Sequence, residues 1–209
     1  SQYLKMVGGL DERRLLAQME DIDRLNAKLK GFRLLKGIEV EILEDGRLDL
    51  PDRILQQLDL VIGSVHSHFR LPVRQQTERI LRAMDQHFFS ILGHPSGRLI
   101  NEREPYAVDL AAVIRKAGER GCFLELNANP QRLDLTDTYC QMAKAAGVLV
   151  TVNTDAHSVD DFGQIRYGIG QARRGWLEKK DVLNARPLKE LTRLRSEERR
   201  VGKECRSRW

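Results

Sequence analysis

Five polar side chains that can bind a metal ion or a phosphate recur along this chain at nearly constant intervals. The intervals between them are 27, 28, 33 and 28 residues, about the length of one strand followed by one helix. Each side chain lies in, or directly after, a short apolar stretch that is typical of a buried strand. Imidazole and carboxylate groups are the protein ligands that suit Mn²⁺ or Zn²⁺. The five residues are Glu39, His66, His94, Asn127 and Asp155.

The last of these residues belongs to the most informative stretch of the chain, residues 149–158, with the sequence LVTVNTDAHS. Residues two apart in an extended segment point to the same side, so Asp155 and His157 are predicted to face one point. Taken alone, the pair is more typical of a turn aspartate and a surface histidine. Its place at the end of a predicted buried strand, in step with the other four residues, favours a metal site.

Two of the histidines have a competing interpretation. His66 and His94 can be core histidines whose ring nitrogens bond to the backbone. Their positions at equivalent strand ends favour metal ligands instead. Glu39 and Glu41 face the same way on one predicted strand, so only one of them need be a ligand.

Other polar residues near the same strand ends are candidates for contacting a substrate phosphate. His68 shares a face with His66 and can reach the same metal or a phosphate. Arg98 lies four residues after His94 and can clamp a phosphate through two nitrogens, with surface solvation as the alternative. The amide of Asn127 suits the orientation of a phosphate or of a metal-bound side chain.

Strands must alternate with helices to bring these residues together, and the hydrophobic pattern predicts that alternation. Apolar stretches predict strands over residues 33–42, 58–65, 88–92, 122–126 and from 149 onward. Helical spacing predicts helices over residues 10–29, 72–85, 107–118, 136–147, 165–172 and 179–184. Such an alternation forms a parallel sheet that binds ligands at the C-terminal ends of its strands. The fold class is therefore α/β, and in a closed barrel that rim carries the chemistry.

The composition is ordinary for a soluble globular protein. The chain has 209 residues, of which 31% are charged and 41% hydrophobic, enough for one domain with a core. No apolar run is as long as a membrane span, and no signal peptide is evident. Cys122, Cys140 and Cys205 are odd in number and widely spaced, which predicts a reducing compartment such as the cytoplasm. The first two cysteines are predicted to be buried apolar positions.

The end of the chain, residues 195–209, differs from the rest. It carries six basic and three acidic residues, and without it the net charge falls from +5 to +2. It has no apolar periodicity and resembles a translated sequencing adapter, so we predict a non-native, disordered tail. A basic arm that binds nucleic acid is the alternative. The predicted domain spans residues 1–194.

Five short motifs are specific in combination, although none is specific alone. They are Gly37-Ile38-Glu39, Gly63-Ser64-Val65-His66-Ser67, Leu92-Gly93-His94-Pro95, Leu126-Asn127-Ala128-Asn129-Pro130 and Asn153-Thr154-Asp155-Ala156-His157-Ser158. Together they resemble the polymerase-and-histidinol-phosphatase (PHP) family. The resemblance is strongest to the C-terminal PHP domain of bacterial and archaeal family X DNA polymerases, because residues 167–177 and 181–184 are similar to the end of that subfamily.

The resemblance implies a distorted seven-stranded βα barrel, similar to a TIM barrel, with up to three manganese or zinc ions at its rim. The family's metal-ligand positions fall on Glu39, His66, His94, Asp155 and His157. The first of these takes the place of a bridging carboxylate. The implied activity is a 3′-to-5′ exonuclease, able also to remove 3′-phosphates, that acts on DNA 3′ ends in repair. A polymerase domain is expected to precede it.

Two other functions stay open for the same motifs. A small-molecule phosphatase of the histidinol-phosphatase type would keep the metal site, but the ending over residues 167–183 argues against it. A metal-poor PHP module would only support a polymerase. Such modules lose rim ligands by substitution, whereas each ligand position covered here holds a competent residue.

The match to the family is incomplete at the N-terminus. The family begins with a strand that carries a His-x-His pair and an aspartate, followed by an Asp-His-Ser motif, and Ser1 resembles that final serine. The first strand and the remaining ligands are therefore expected to precede residue 1. We predict a fragment with impaired activity of its own, because a barrel that lacks a strand exposes unpaired strand edges.

Overall fold

A parallel sheet forms the centre of the fold. The computed structural model describes residues 9–194, so the Ser1 match and the predicted tail lie outside the described residues. Within residues 9–194 the sheet has five strands, each parallel to its neighbours and in chain order. The strands are β1 (Gly37–Glu41), β2 (Leu60–Ser64), β3 (Ile91–Leu92), β4 (Phe123–Asn127) and β5 (Val150–Asn153).

Helices alternate with these strands, which confirms the predicted α/β class. The helices described are α1 (Glu12–Asn26), α2 (Asp52–Leu55), α3 (Val73–Met84), α4 (Leu110–Arg120), α5 (Asp137–Ala145) and α6 (Ile165–Arg174). Each predicted strand is present. β1, β2 and β3 are shorter than their apolar stretches, whereas β4 has the predicted five residues and begins one residue later. The predicted helix over 179–184 is wrong in type, since two 3-10 turns, Lys179–Asp181 and Leu183–Ala185, take its place.

The first helix is shorter than its apolar spacing predicts. It begins after Asp11, whose carboxylate accepts a hydrogen bond of 2.8 Å from the backbone N–H of Arg14. Leu25 is 49% exposed, so the apolar stripe does not continue into a buried contact at this end. Instead, the side chain of Asn26 exchanges two hydrogen bonds of 2.8 Å with the backbone of Leu34. The chain therefore leaves the helix at Asn26 and turns toward β1.

The two faces of the sheet differ in polarity because successive side chains alternate between them. The helices cover an apolar face that includes Val40, Val61, Leu92, Leu124 and Val152. The opposite face has apolar residues at one end, Ile62, Ile91 and Phe123, which the strand register places side by side. Toward the C-terminal ends of the strands it carries Glu39, Glu41, Ser64, Glu125 and Asn127. The polar face therefore carries three carboxylates, those of Glu39, Glu41 and Glu125, toward the C-terminal ends of its strands.

The sheet edges within the described residues are β1 and β5. Beyond β5, a single parallel bridge joins Val150 to Val182. Residue 182 therefore lies beside β5, on the side where a further strand of the sheet would lie.

Two further predictions concern membranes and cysteines. Among residues 9–194, no helix combines the length and the apolar character that a membrane crossing needs. Cys122 and Cys140 are buried, as predicted. Cys205 lies outside the described residues.

Close packing around Gly63 in β2 predicts a stability effect at that position. A Cβ added there would lie 2.2 Å from Cε2 of Phe89, a ring that is itself buried. We expect Gly63→Ala to lower the free energy of unfolding by about 2 kcal/mol, as over-packed cores do. Urea titration measures this change. The matched control is Gly37→Ala, where the nearest atom to the Cβ lies at 3.7 Å and the expected change is below about 0.5 kcal/mol. Equal losses in both variants would contradict this account of the packing.

Candidate metal centre

Three of the predicted site residues converge at the C-terminal ends of β1, β2 and β3. Glu39 lies in β1, while His66 and His94 each follow their strand by two residues. Glu39 Oε1 lies 3.2 Å from Nε2 of His66 and 3.0 Å from Nε2 of His94. One ligand atom from each of the three residues lies within 4.8 Å of the others. Two imidazole nitrogens and a carboxylate oxygen therefore surround one point, which is an arrangement that suits a divalent transition-metal ion.

The charges of this cluster reflect close contact in a partly buried place. Burial disfavours a charged imidazole, but hydrogen bonds to Glu39 and Glu41 outweigh it and raise the pKa of His66 to about 9. Burial also disfavours the Glu39 carboxylate, yet hydrogen bonds from His66 and His94 hold its pKa well below the usual range. A proton on a His66 nitrogen and a metal cation would compete for the same lone pair.

A buried carboxylate stands behind each histidine. Oε2 of Glu41 accepts a hydrogen bond of 3.0 Å from the backbone N–H of His66 and lies 2.9 Å from Nδ1 of that ring. Oε2 of Glu125 accepts a bond of 2.9 Å from the backbone N–H of His94 and lies 3.4 Å from its Nδ1. Carboxylates in this position commonly orient metal-binding histidines. The two rings are therefore held with Nε2 toward Glu39.

The next strands bring Asp155 and Asn127 to the same rim. Oδ2 of Asp155 lies 3.9 Å from Nε2 of His94. Asn127 is fully buried at the end of β4, with its Nδ2 3.2 Å from Oδ2 of Asp155 and 3.2 Å from Nδ1 of His94. Nε of Arg132 lies 3.7 Å from the same Asp155 oxygen. Asp155 therefore borders the cluster, with an amide and a guanidinium beside it.

The chain is similar in sequence to known proteins of two kinds. No model of a known protein family matches the chain. The protein named DNA polymerase/3′-5′ exonuclease PolX of Bacillus subtilis is 44% identical over 191 residues, which cover 91% of this chain but 34% of that relative. A probable phosphatase of Caldanaerobacter subterraneus is 32% identical over 185 residues, covering 84% of this chain and 70% of the relative. A probable phosphatase of Thermoanaerobacter sp. is 32% identical over 190 residues, covering 86% of this chain and 75% of the relative.

Identity of this extent to relatives of both kinds, together with the rim motifs, decides the family. The chain belongs to the PHP family. Its relatives are named as an exonuclease and as phosphatases, and both of these are classes of hydrolase. It spans about a third of the length of the Bacillus subtilis relative, 34%.

His157 does not join the cluster in this PHP domain. Its side chain is 85% exposed, and its Nδ1 lies 2.8 Å from the backbone oxygen of Asp155. The prediction assumed an extended backbone here, but β5 ends at Asn153 and Asp155 has a φ of +54°. The turn at Asp155 therefore leaves the His157 ring at the surface, with its Nδ1 4.0 Å from Oδ1 of Asp155, and does not bring it into the cluster.

Arg98 and His68, which were predicted to contact a phosphate, also lie outside the cluster. Arg98 donates hydrogen bonds of 2.7 Å to the backbone oxygen of Arg132 and 2.5 Å to that of Leu133. Its guanidinium thus holds the loop that carries Arg132. His68 is exposed, and its Nδ1 lies 3.6 Å from Oε2 of Glu44.

Two residues of the site were not found by sequence reasoning. Glu125 had a signal, because it is a charged residue within the apolar stretch of β4, Phe123–Asn127. Arg132 had none, because its approach to Asp155 depends on the fold of a loop between β4 and α5.

The turn after His94 depends on another buried carboxylate, Asp134. Its Oδ2 accepts hydrogen bonds of 2.9 Å from the backbone N–H groups of both Ser96 and Gly97. Asp134 is fully buried, so these bonds replace its hydration. The turn that places His94 is therefore tied to the β4–α5 loop.

Removing the Asp134 carboxylate should destabilise the domain strongly. We expect Asp134→Ala to lower the free energy of unfolding by about 3 kcal/mol, because two buried backbone donors lose a charged acceptor. Asp137→Ala is the control, since Asp137 is partly exposed and binds Arg174 at 3.2 Å at the surface. Its expected cost is about 1 kcal/mol or less. Denaturant titration compares the two, and similar losses would show that Asp134 has no special role in the turn.

Proposed function

We propose that this domain is a metal-dependent phosphoesterase in which Glu39, His66 and His94 hold a divalent ion. The observation that carries the proposal is the convergence of their ligand atoms within 4.8 Å, with a buried carboxylate behind each ring. Two imidazoles and one carboxylate fit manganese or zinc better than magnesium. A bound divalent ion of this kind makes hydroxide available from water at neutral pH and offsets charge on a phosphoryl group.

Asp155 and His157 are proposed ligands of further ions, up to three in the intact site. For Asp155 the support is its position, 3.9 Å from Nε2 of His94. For His157 the support is the sequence motif that it shares with Asp155. Both lie after β5, at the rim that the other ligands border.

Other residues of the chain are suited to binding the substrate. Arg132 presents a guanidinium next to Asp155, where it can contact a phosphate oxygen, and Arg98 holds the backbone of its loop. Asn127 fixes the Asp155 carboxylate through a bond of 3.2 Å. His68 is exposed near the same rim and remains a proposed phosphate contact.

The proposed substrate is a DNA 3′ end, cleaved from 3′ to 5′, with removal of 3′-phosphates as a related activity in DNA repair. Support comes from 44% identity to a relative named as a DNA polymerase and 3′-5′ exonuclease. Because that relative is much longer, we propose a polymerase domain in the parent protein and a whole domain that is a distorted seven-stranded βα barrel. The buried free thiol of Cys140 supports a cytoplasmic location.

A second candidate is hydrolysis of a small phosphomonoester. The specific observation that favours it is the identity of 32% to relatives named as probable phosphatases, which the chain covers over 70% and 75% of their length. The same metal centre would serve both activities.

The metal ligands are tested by measuring bound Mn²⁺ and Zn²⁺ by mass spectrometry. We expect His94→Ala to lower metal affinity at least tenfold and to abolish metal-dependent hydrolysis, because one of three converging ligands is lost. His68→Ala is the control, because its ring lies outside the cluster, and its metal content should not change. Unchanged metal content in His94→Ala would exclude this cluster as the site. A wild-type protein without metal would favour the module that only supports a polymerase.

The substrate class is tested by comparing turnover of single-stranded DNA with turnover of a small phosphate ester on one metal-loaded preparation. We expect the specificity constant for DNA to exceed that for the small ester by at least tenfold. The physical reason is that a longer substrate adds phosphate contacts beyond the scissile bond. The reverse preference would replace the exonuclease proposal with the small-molecule phosphatase.

A further inference from the structure

Glu41 is a buried carboxylate that the metal cluster does not use directly. It lies two residues after Glu39 in β1 and therefore on the same face of the sheet. The register pairs it with Ser64 at the end of β2, two residues before His66. Oε2 of Glu41 thus meets both the backbone N–H of His66, at 3.0 Å, and Nδ1 of its ring, at 2.9 Å.

The other oxygen of Glu41 is fully engaged as well. Oε1 accepts hydrogen bonds of 2.5 Å from the Ser67 hydroxyl and 3.0 Å from Nη2 of Arg79. The side chains of Glu41 and Arg79 are both 0% exposed. A carboxylate with partners on both oxygens cannot turn toward the Glu39 cluster, so its position is that of a support and not of a ligand.

Arg79 joins three segments of the chain around this carboxylate. It lies in α3, and its guanidinium donates to the backbone oxygens of Ile42 and Leu43 after β1. It also donates a bond of 2.9 Å to the backbone oxygen of Ser67 in the loop after β2. Removing one partner of such a buried ion pair leaves the other charge buried without compensation.

This arrangement fixes the orientation of one imidazole. With Nδ1 facing a carboxylate, the His66 ring presents Nε2 toward Glu39, 3.2 Å away. A ring turned over would place a C–H group against the Glu41 oxygen and lose that hydrogen bond. Glu41 therefore decides which nitrogen of His66 faces the cluster.

We propose that Glu41, held by Arg79, is a positioning residue that acts through His66 and sets the metal affinity of the cluster. The inference rests on the proposed metal centre but not on the phosphoesterase substrate. Nothing in it requires Glu41 or Arg79 to touch the metal or the substrate.

The test compares the wild-type chain of 209 residues with Glu41→Gln and with Glu78→Gln as the matched control. Glu78 is also a glutamate bound to an arginine, but it lies on the exposed side of α3, 2.9 Å from Arg74. Zinc affinity is measured by competition with a chelating dye, and folding is checked by thermal unfolding. We expect Glu41→Gln to weaken zinc binding 10- to 100-fold, because the amide cannot accept from both His66 and Arg79. Glu78→Gln should change it less than twofold.

A double-mutant cycle separates positioning from a general structural effect. On a His66→Ala background, Glu41→Gln should weaken zinc binding less than twofold further, because the residue through which it acts is gone. A full additive loss on that background would overturn the proposal. If Glu41→Gln fails to fold, Arg79→Lys replaces it, since the charge is kept while the several-pronged contact is lost. An unchanged zinc affinity in Arg79→Lys would then overturn the proposal.

Failure of this inference is distinguishable from failure of the proposed function. A wild-type chain that binds zinc but hydrolyses no phosphoester, with the cycle as expected, would refute the function and support the positioning role. A chain that hydrolyses phosphoesters, with Glu41→Gln within twofold of wild type in zinc affinity, would support the function and refute the positioning role. A wild-type chain that binds no zinc would overturn both. In the metal-free protein, at a pH high enough for the His66 ring to be neutral, ¹⁵N chemical shifts of that ring add an independent readout, because Glu41→Gln should change the populations of its two tautomers.

Discussion

The in-register pairing of parallel strands is the constraint on which the whole site depends. Glu39 and Glu41 sit opposite Ile62 and Ser64 of the next strand, so a carboxylate on β1 meets the histidine that follows β2. A slip by one residue would turn both carboxylates under the helices and bring Val40 to the rim. Burial of the apolar face therefore selects the same register that assembles the metal cluster. The alternation of side chains along the strands therefore specifies both the packing of the core and the position of the metal cluster.

The protein also buries three carboxylates near this rim, and each of them has compensating partners. Burial disfavours the Glu41 carboxylate, but hydrogen bonds from His66 and Ser67 hold its pKa below the usual value, and Arg79 adds a buried cation. Burial raises the pKa of Glu125 and of Asp134, whose partners are mainly backbone N–H groups and an amide. In each case the carboxylate fixes a histidine or the turn after it, so the buried charge marks a place where orientation matters.

Sequence reasoning succeeded where a residue's position follows from strand periodicity. Glu39, His66 and His94 are tied to strand ends, and strand ends are visible as the limits of apolar stretches. It failed for loops, where direction depends on hydrogen bonds between segments far apart in sequence. Arg98 was predicted to clamp a phosphate, yet in the fold it binds two backbone oxygens 34 and 35 residues away. Arg132 lies in that same loop, whose fold brings it near Asp155, and no pattern in the sequence predicts this position.

The backbone of the rim gives an independent indication of which side chains matter. His94 and Asp155 have positive φ angles of +46° and +54°, a region where glycine would be less strained. A left-handed backbone alone proves nothing, since Leu133 also has a φ of +42° and its side chain offers no ligand atom. What distinguishes His94 and Asp155 is that their left-handed turns bring two ionisable side chains from different strands within 3.9 Å. A glycine would relieve the backbone strain at either position, but it would remove the imidazole or carboxylate that the turn brings to the rim. The strain is therefore explained by the need for an ionisable side chain at that point of the turn.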